Sequence, residues 1–270
     1  MTVVGIDVGG SKIAVASVDV TTGTVLRETR APTPVEDGGK AILDACVELA
    51  ADVAPGGAEA VGIGLCEFVD PSGKPTSAYT VDWLKLDVAG AFGEARVRIE
   101  SDVRAGALAE ALFGAGRPFA SFVYVVVGSG VSHCLVLDGR PYEGARGNAI
   151  VTGAPPVEFS VGGLALARRA GVVSAEQVLS DPVHAPLVDA AAGELGHALA
   201  TLVNALDPEA VVIGGGLGLV AAYRERVVAA ARAAIEHEAT RELPIVPAAL
   251  GAQSGVVGAA LAAERYRRRP

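Results

Sequence analysis

Aromatic side chains are scarce, 4% of the residues, with a single Trp and a single Met against 34 Gly. A core built without them must come from small residues that pack backbones closely, and the glycine loops leave backbone N–H groups bare. Cysteine is almost as rare. Cys46, Cys66 and Cys134 are an odd, widely spaced set without a CxxC pair, each inside an apolar run, which fits reduced thiols in a cytoplasm rather than a disulfide framework. No stretch of about 18 apolar residues is free of Gly and charge, and MTVVGIDVGG enters a strand pattern without a basic leader or cleavage site. Neither a membrane partner nor export is therefore expected. Basic residues are outnumbered, 22 to 31, for a net charge of −9, which argues against nucleic acid or an anionic membrane as a bulk partner. Anionic ligands must then be held locally, and Lys12 is one of four lysines in the chain. The run Arg265 to Pro270 reads as a solvated helix end.

What is present is apolar: 51% hydrophobic residues and a mean hydropathy of +0.42, in 270 residues. That length passes the roughly 250 residues at which one core stops growing, so two small domains with a cleft are expected. The order of elements supports this, because it repeats. In the first half come strands Val3–Val8, Ile13–Asp19 and Thr24–Arg30, a helix Gly39–Val53, strands Ala60–Leu65 and Val97–Glu100, and a helix Arg104–Phe113. In the second come strands Phe122–Val127, Val131–Leu137 and Arg140–Tyr142, helices Val161–Ala170 and Val188–Leu206, strand Ala210–Ile213 and a helix Ala221–His237. Unbroken β-branched runs such as Val125-Val126-Val127 belong to strands covered on both faces, so mixed sheets flanked by helices are expected. The expected domains are 1–115 with about 253–270, and 116–252.

Three glycine turns each follow a buried strand: Gly9-Gly10-Ser11-Lys12, Gly128-Ser129-Gly130 and Gly214-Gly215-Gly216. Glycine permits close approach and φ > 0, so several N–H groups can face one phosphate. Two of the turns hold matching positions of the repeat, which suggests opposite walls of one nucleotide cleft. None fits the P-loop or the GxGxxG pattern. Gly5-Ile6-Asp7-Val8-Gly9-Gly10-Ser11-Lys12 resembles the first phosphate motif of the ROK sugar kinases, within the two-domain actin/hexokinase-like (ribonuclease H-like) α/β fold. Val61-Gly62-Ile63-Gly64, Ser101-Asp102, Val127-Gly128-Ser129-Gly130-Val131, Pro208 to Gly216 and Gly255 to Ala260 resemble further motifs of that family, in the same order. A helix-turn-helix before the first strand, found in the family's repressors, is not expected with that strand at residue 3.

The resemblance implies ATP-dependent phosphorylation of a sugar hydroxyl, with Mg²⁺, and a homodimer. Asp102 falls at the place of the catalytic base; a carboxylate there can accept the proton of the attacking hydroxyl. Asp7 would face the metal through water, since Mg²⁺ keeps part of its hydration shell, and Lys12 would supply charge to the phosphates. The bland alternatives are a turn-capping Asp7 and an N-capping Asp102. The acceptor side departs from the family. Its Glu-x-Gly-His segment is replaced by a stretch with Asn148 and Val151 at those places, and the cysteine cluster for structural zinc is missing, so no zinc is expected. Tyr79 replaces an Asn, Ser101 another, and Cys66-Glu67 a Pro-Gly, while Glu158 resembles a retained acid. Glu67, Tyr79, Ser101, Asp102, Asn148 and Glu158 are thus the candidate acceptor contacts. Changing several buried polar groups reshapes preference, which favours an aminosugar, cyclitol or modified sugar over glucose. Glu194-Leu195-Gly196-His197 imitates the lost motif but lies in a helix, and His133-Cys134 cannot form a dyad, because neighbours on a strand point to opposite faces. The alternative is a catalytically inactive binding or regulatory protein of the same fold; ATP and polyphosphate both stand open as donors.

Overall fold

The structure is a computed structural model that describes residues 2–266; Arg267 to Pro270 of the basic tail lie outside the described residues. The chain forms two compact units. The first contains the chain up to Gly114, the segment Arg140–Ala149 and the chain from Gln253; the second is Ala115–Gly139 with Ile150–Ala252. The segment Arg140–Ala149, placed in the second half by the sequence pattern, packs in the first unit.

Unit one opens with β1 (Val3–Val8), β2 (Lys12–Asp19), β3 (Thr24–Pro32), α1 (Gly38–Val53) and β4 (Ala60–Leu65). It continues through α2 (Val88–Ala91), β5 (Arg96–Ser101) and α3 (Asp102–Phe113). Then follow β6 (Ser121–Val127), β7 (Val131–Leu137) and β8 (Arg140–Pro141), where the chain passes back to unit one. Unit two resumes with α4 (Glu158–Val161), α5 (Gly163–Ala170), α6 (Ala175–Ser180), α7 (Ala185–Leu206), β9 (Ala210–Gly214), α8 (Ala221–Ala234) and β10 (Ile245–Pro247). The last helix, α9 (Ser254–Tyr266), belongs to unit one.

The two five-stranded sheets have one plan, β3-β2-β1-β4-β5 and β8-β7-β6-β9-β10. In each, the central strand pairs antiparallel with its hairpin partner and parallel with the strand on its other side. The repeat read from the sequence is therefore a repeat of topology, and both sheets are mixed.

Strand periodicity of two explains the first unit's composition. Val4, Ile6 and Val8 of β1 and Val61, Ile63 and Leu65 of β4 join Ile42, Leu43, Cys46 and Trp83 in one core. On the opposite face Gly5 and Gly62 are glycines because α9 presses on them. A Cβ at Gly5 would overlap the Val256 carbonyl, one at Gly62 the Ala259 carbonyl, and one at Gly258 the Ala105 carbonyl. Backbone atoms cannot move aside, so these glycines let α9 settle onto β1, β4 and α3.

The structure departs from the sequence pattern locally. The helix expected over 161–170 breaks at Gly162, whose backbone is extended (φ −62°, ψ 153°). A Cβ there would press on Ser129 O and Gly130 Cα, so the break admits the glycine turn beside it. The short α6 and the three-residue β10 carry too little periodicity to be anticipated. His197 lies on α7, exposed, its Nδ1 against Gly193 O, and buried Cys134 neighbours His133 on β7. No described helix is long and apolar enough to cross a membrane.

Candidate functional site

The carboxyl ends of β1, β4 and β5 run parallel and side by side in unit one, the edge at which open α/β sheets bind ligands. Asp7 ends β1 on the face that meets α9, and Gly255 leaves room for its carboxylate, since a Cβ there would overlap it. Cys66 and Glu67 follow β4. Asp102 follows β5 as the first residue of α3, with extended Ser101 (ψ 138°) as N-cap, so Asp102 is not itself the cap.

These groups sense one another electrostatically. Burial raises the Asp102 carboxyl to about 7, and the neighbouring charge of Asp7 adds to it, with Glu67 a smaller contributor; the Val103 amide and Arg104 oppose. Burial also lifts Asp7 to about 6, against the pull of Lys12 and Arg30. The Cys66 thiol, pushed up first by burial and then by Asp102, Glu67 and Asp7, stays protonated, with Thr80 as its hydrogen-bond partner. Asp7, Cys66 and Asp102, each half-buried, therefore lie near one another at this edge of the sheet. Proton acceptors tuned near neutrality by burial and like charge are what general base chemistry needs.

The other acceptor-side candidates divide. Glu67 is buried, and both its oxygens are engaged: Oε2 accepts from the Ser77 hydroxyl and the Tyr79 amide (3.0 Å), Oε1 from the amides of Thr80 and Val81 (2.9 Å to Val81). These four bonds hold the 77–81 loop to Glu67, just past the end of β4. Ser101 is wholly buried, and its hydroxyl has no hydrogen-bond partner among the described residues. Tyr79 is 83% exposed and packs edge-on against Phe68. Exposed Asn148 follows buried Gly147, whose carbonyl accepts from Arg104 Nη1 (2.8 Å). The sequence did not single out Arg104. For Arg104 the available signal was a charge among the small apolar residues of α3.

In unit one the turn Gly9-Gly10-Ser11-Lys12 closes on itself, Gly9 N donating to Lys12 O (3.0 Å), and Thr33 Oγ1 ties down Gly9 O (2.7 Å). The Gly9 amide is thus spent, while Lys12 is exposed. In unit two the register pairs Val126 with Gly214, which brings the Gly128–Gly130 and Gly214–Gly216 turns to one end of the sheet. Gly215 has φ +82°, and a Cβ on it would overlap Val127 O; Leu217 N donates to that carbonyl (2.9 Å). Gly128 N bonds Gly130 O (2.9 Å), and Gly163 N at the start of α5 bonds Gly128 O (2.8 Å). A Cβ on Gly130 would lie 2.7 Å from Glu158 Oε2, and burial raises the Glu158 carboxyl, against a hydrogen bond from the Val131 amide. Glu158 therefore belongs to the wall of this turn. His133 Nδ1 lies 3.0 Å from Thr152 Oγ1, and burial lowers its pKa.

Among the described residues no group of three or more His, Cys, Asp or Glu side chains is placed to hold a metal. The arrangement does fit a magnesium–nucleotide: that cation takes one or two carboxylates and otherwise water and phosphate oxygens. Asp7, whose charge helps raise the Asp102 carboxyl, is the oxygen donor that such a cation would use.

A duplicated mixed sheet with acids at the strand ends of one copy and glycine turns in the other defines a two-unit α/β protein of the actin/hexokinase-like fold. The chain belongs to the ROK family, whose sequence profile matches residues 3–162 and 168–265. It is similar to the bifunctional enzyme NanE/NanK of Brucella melitensis, 30% identical over 98% of this chain and 54% of that protein. This chain thus spans about half the length of that relative. A fructokinase of Zymomonas mobilis is 29% identical, with 96% of each chain covered. Among solved structures, a ROK glucokinase from Streptomyces griseus in complex with glucose and AMPPNP has a TM-score of 0.87 at 26% identity, covering 98% of this chain and all of that one. A ROK hexokinase from Thermus thermophilus has a TM-score of 0.77 at 32% identity, with 99% of each chain covered.

Proposed function

We propose that the chain is a kinase that transfers a phosphoryl group from ATP to a hydroxyl of a hexose-like acceptor, with Asp102 as general base. The observation that carries this is the carboxyl of Asp102, half-buried at the first turn of α3 and raised to about 7. Its Oδ1 accepts the Val103 amide (2.6 Å), which orients the group and leaves Oδ2 to take the proton of the attacking hydroxyl. A base titrating near the working pH combines a populated carboxylate with useful basicity. Asp7 and Lys12, with Gly10 and Ser11 of the first turn, would hold the magnesium–phosphate end of the nucleotide. Magnesium bound there supplies neutralisation of charge on the transferring phosphoryl. The Gly128–Gly130 and Gly214–Gly216 turns of unit two are the other candidate phosphate contacts.

Altered residues on the acceptor side favour an aminosugar, a cyclitol or another modified hexose. Relatives named as N-acetylmannosamine kinase (Vibrio cholerae) and N-acetylgalactosamine kinase (Shewanella) are in keeping with this. Turnover of ATP across hexoses, N-acetylhexosamines and cyclitols tests the reading: ADP release with one of them supports it. Silence with every polyol, with nucleotide still bound, favours the inactive ligand-binding protein. Sedimentation checks the expected homodimer, and stoichiometric zinc in the purified protein refutes the zinc-free reading.

A further inference from the structure

Arg104 is nearly fully buried, with 1% of its surface exposed, two residues after Asp102. Such a charge is tolerated only when paired and hydrogen-bonded. Its Nε and Nη2 meet Glu100 Oε1 at 2.7 and 2.6 Å, an ion pair from α3 back to the end of β5. Nη2 also donates to Val69 O (2.6 Å), and Nη1 to Gly147 O (2.8 Å). One planar group thus joins three separate pieces of chain: the start of α3, the segment after β4, and the returning segment 140–149. Those pieces are already tight against each other. Gly147 has φ +81°, and a Cβ on it would overlap the Val69 carbonyl. Glu100 Oε1 in turn accepts the Ser101 amide (2.8 Å), so the pair reaches the backbone immediately before Asp102.

We infer that Arg104 is a positioning residue for the acceptor: it pins the loop carrying Asn148 and the Glu67–Asp70 segment to the helix turn that presents Asp102. This rests on the kinase reading above and deepens it. A loop held to the same turn as the base keeps a fixed distance from it, so an acceptor contacting the loop is delivered to Asp102 in register. Lysine cannot replace the guanidinium, because a single ammonium cannot reach three acceptors in a fixed plane.

The test is Arg104→Lys, with Glu100→Gln as the milder second variant should the first fold poorly. Hydrogen exchange followed by mass spectrometry reads the loop without any substrate. In either variant, peptides covering 143–150 and 67–72 exchange roughly tenfold faster, while peptides of α9 keep wild-type protection. Steady-state kinetics with the best acceptor of the panel reads the consequence: KM for the acceptor rises roughly tenfold or more, and KM for ATP stays within about twofold. Unchanged exchange at 143–150 overturns the pinning. Faster exchange with an unchanged acceptor KM overturns the link to the acceptor. Wild-type protein that phosphorylates nothing overturns the kinase reading and the acceptor link with it, whereas the exchange result still decides the pinning by itself.

Discussion

The two sheets repeat one strand plan, yet equivalent places carry different chemistry. Asp7 of β1 lies opposite Gly64, and its counterpart Val126 of β6 lies opposite Gly214. Gly5 and Gly62 in the first sheet correspond to Tyr124 and Val212 in the second. One copy therefore has acids at the strand ends and a helix seated directly on the strand backbone. The other keeps its strands filled with bulky side chains and places glycines only in the turns. The lesson is that a duplicated scaffold separates its labours through a few residues at the carboxyl ends of strands, while the topology beneath stays constant.

The largest test of that asymmetry is Asp102→Asn, which is expected to lower kcat on the order of a thousandfold with little change in either KM; unchanged turnover removes Asp102 as the base. Next comes packing. Gly62→Ala drives a methyl into the Ala259 carbonyl and is expected to cost about 3 kcal/mol. At the matching position, Val212→Ala opens a cavity worth about 2 kcal/mol. Trp83, the single Trp and a member of the first core, makes fluorescence a reporter of unit one, so its transition should move with Gly62→Ala and not with Val212→Ala.

Stability against pH is the third. Asp7 and Asp102 bind protons more tightly folded than unfolded, near 6 and 7 against 3.8. Their favourable contribution is complete below about pH 4 and is lost as pH rises through 6 to 7. Nucleotide-free protein with Asp7→Asn should therefore gain stability over wild type on the order of 2 kcal/mol at pH 8, half-burial having reduced the full value, and gain nothing near pH 4. Denaturant midpoints from Trp fluorescence at both pH values check it. The smallest effect belongs to unit two: Gly130→Ala meets only the movable Glu158 carboxylate and should change stability by less than about 0.5 kcal/mol.

Strands β1, β4 and β7 were legible to the residue, because each is a largely apolar run bounded by glycine or polar residues or by the end of its branched side chains. Legible too was the ordered series of motifs, which led to the family and to Asp7 and Asp102. The motif glycines were visible, but their work was not. Gly5, Gly62 and Gly258 read as parts of family motifs; Gly5 and Gly62 are seats for α9, and Gly258 lets α9 approach α3, contacts between residues far apart in sequence. The hydrogen bonds of Glu67 escaped because its partners lie 10 to 14 residues onward, in a loop without any periodicity. Arg104 escaped for the same reason: its carbonyl partners, 35 and 43 residues away, leave no trace in local pattern.

The seating of α9 on β1 and β4 has a consequence for how the chain comes into being. During synthesis the strands of unit one emerge early, but the helix that covers one face of its sheet is the last described element to appear. Unit two, whose sheet and helices lie between Ala115 and Ala252, is complete before then. The nascent chain should thus carry a finished second unit while the first waits with Gly5 and Gly62 uncovered, open to holdase chaperones until residue 266 clears the ribosome.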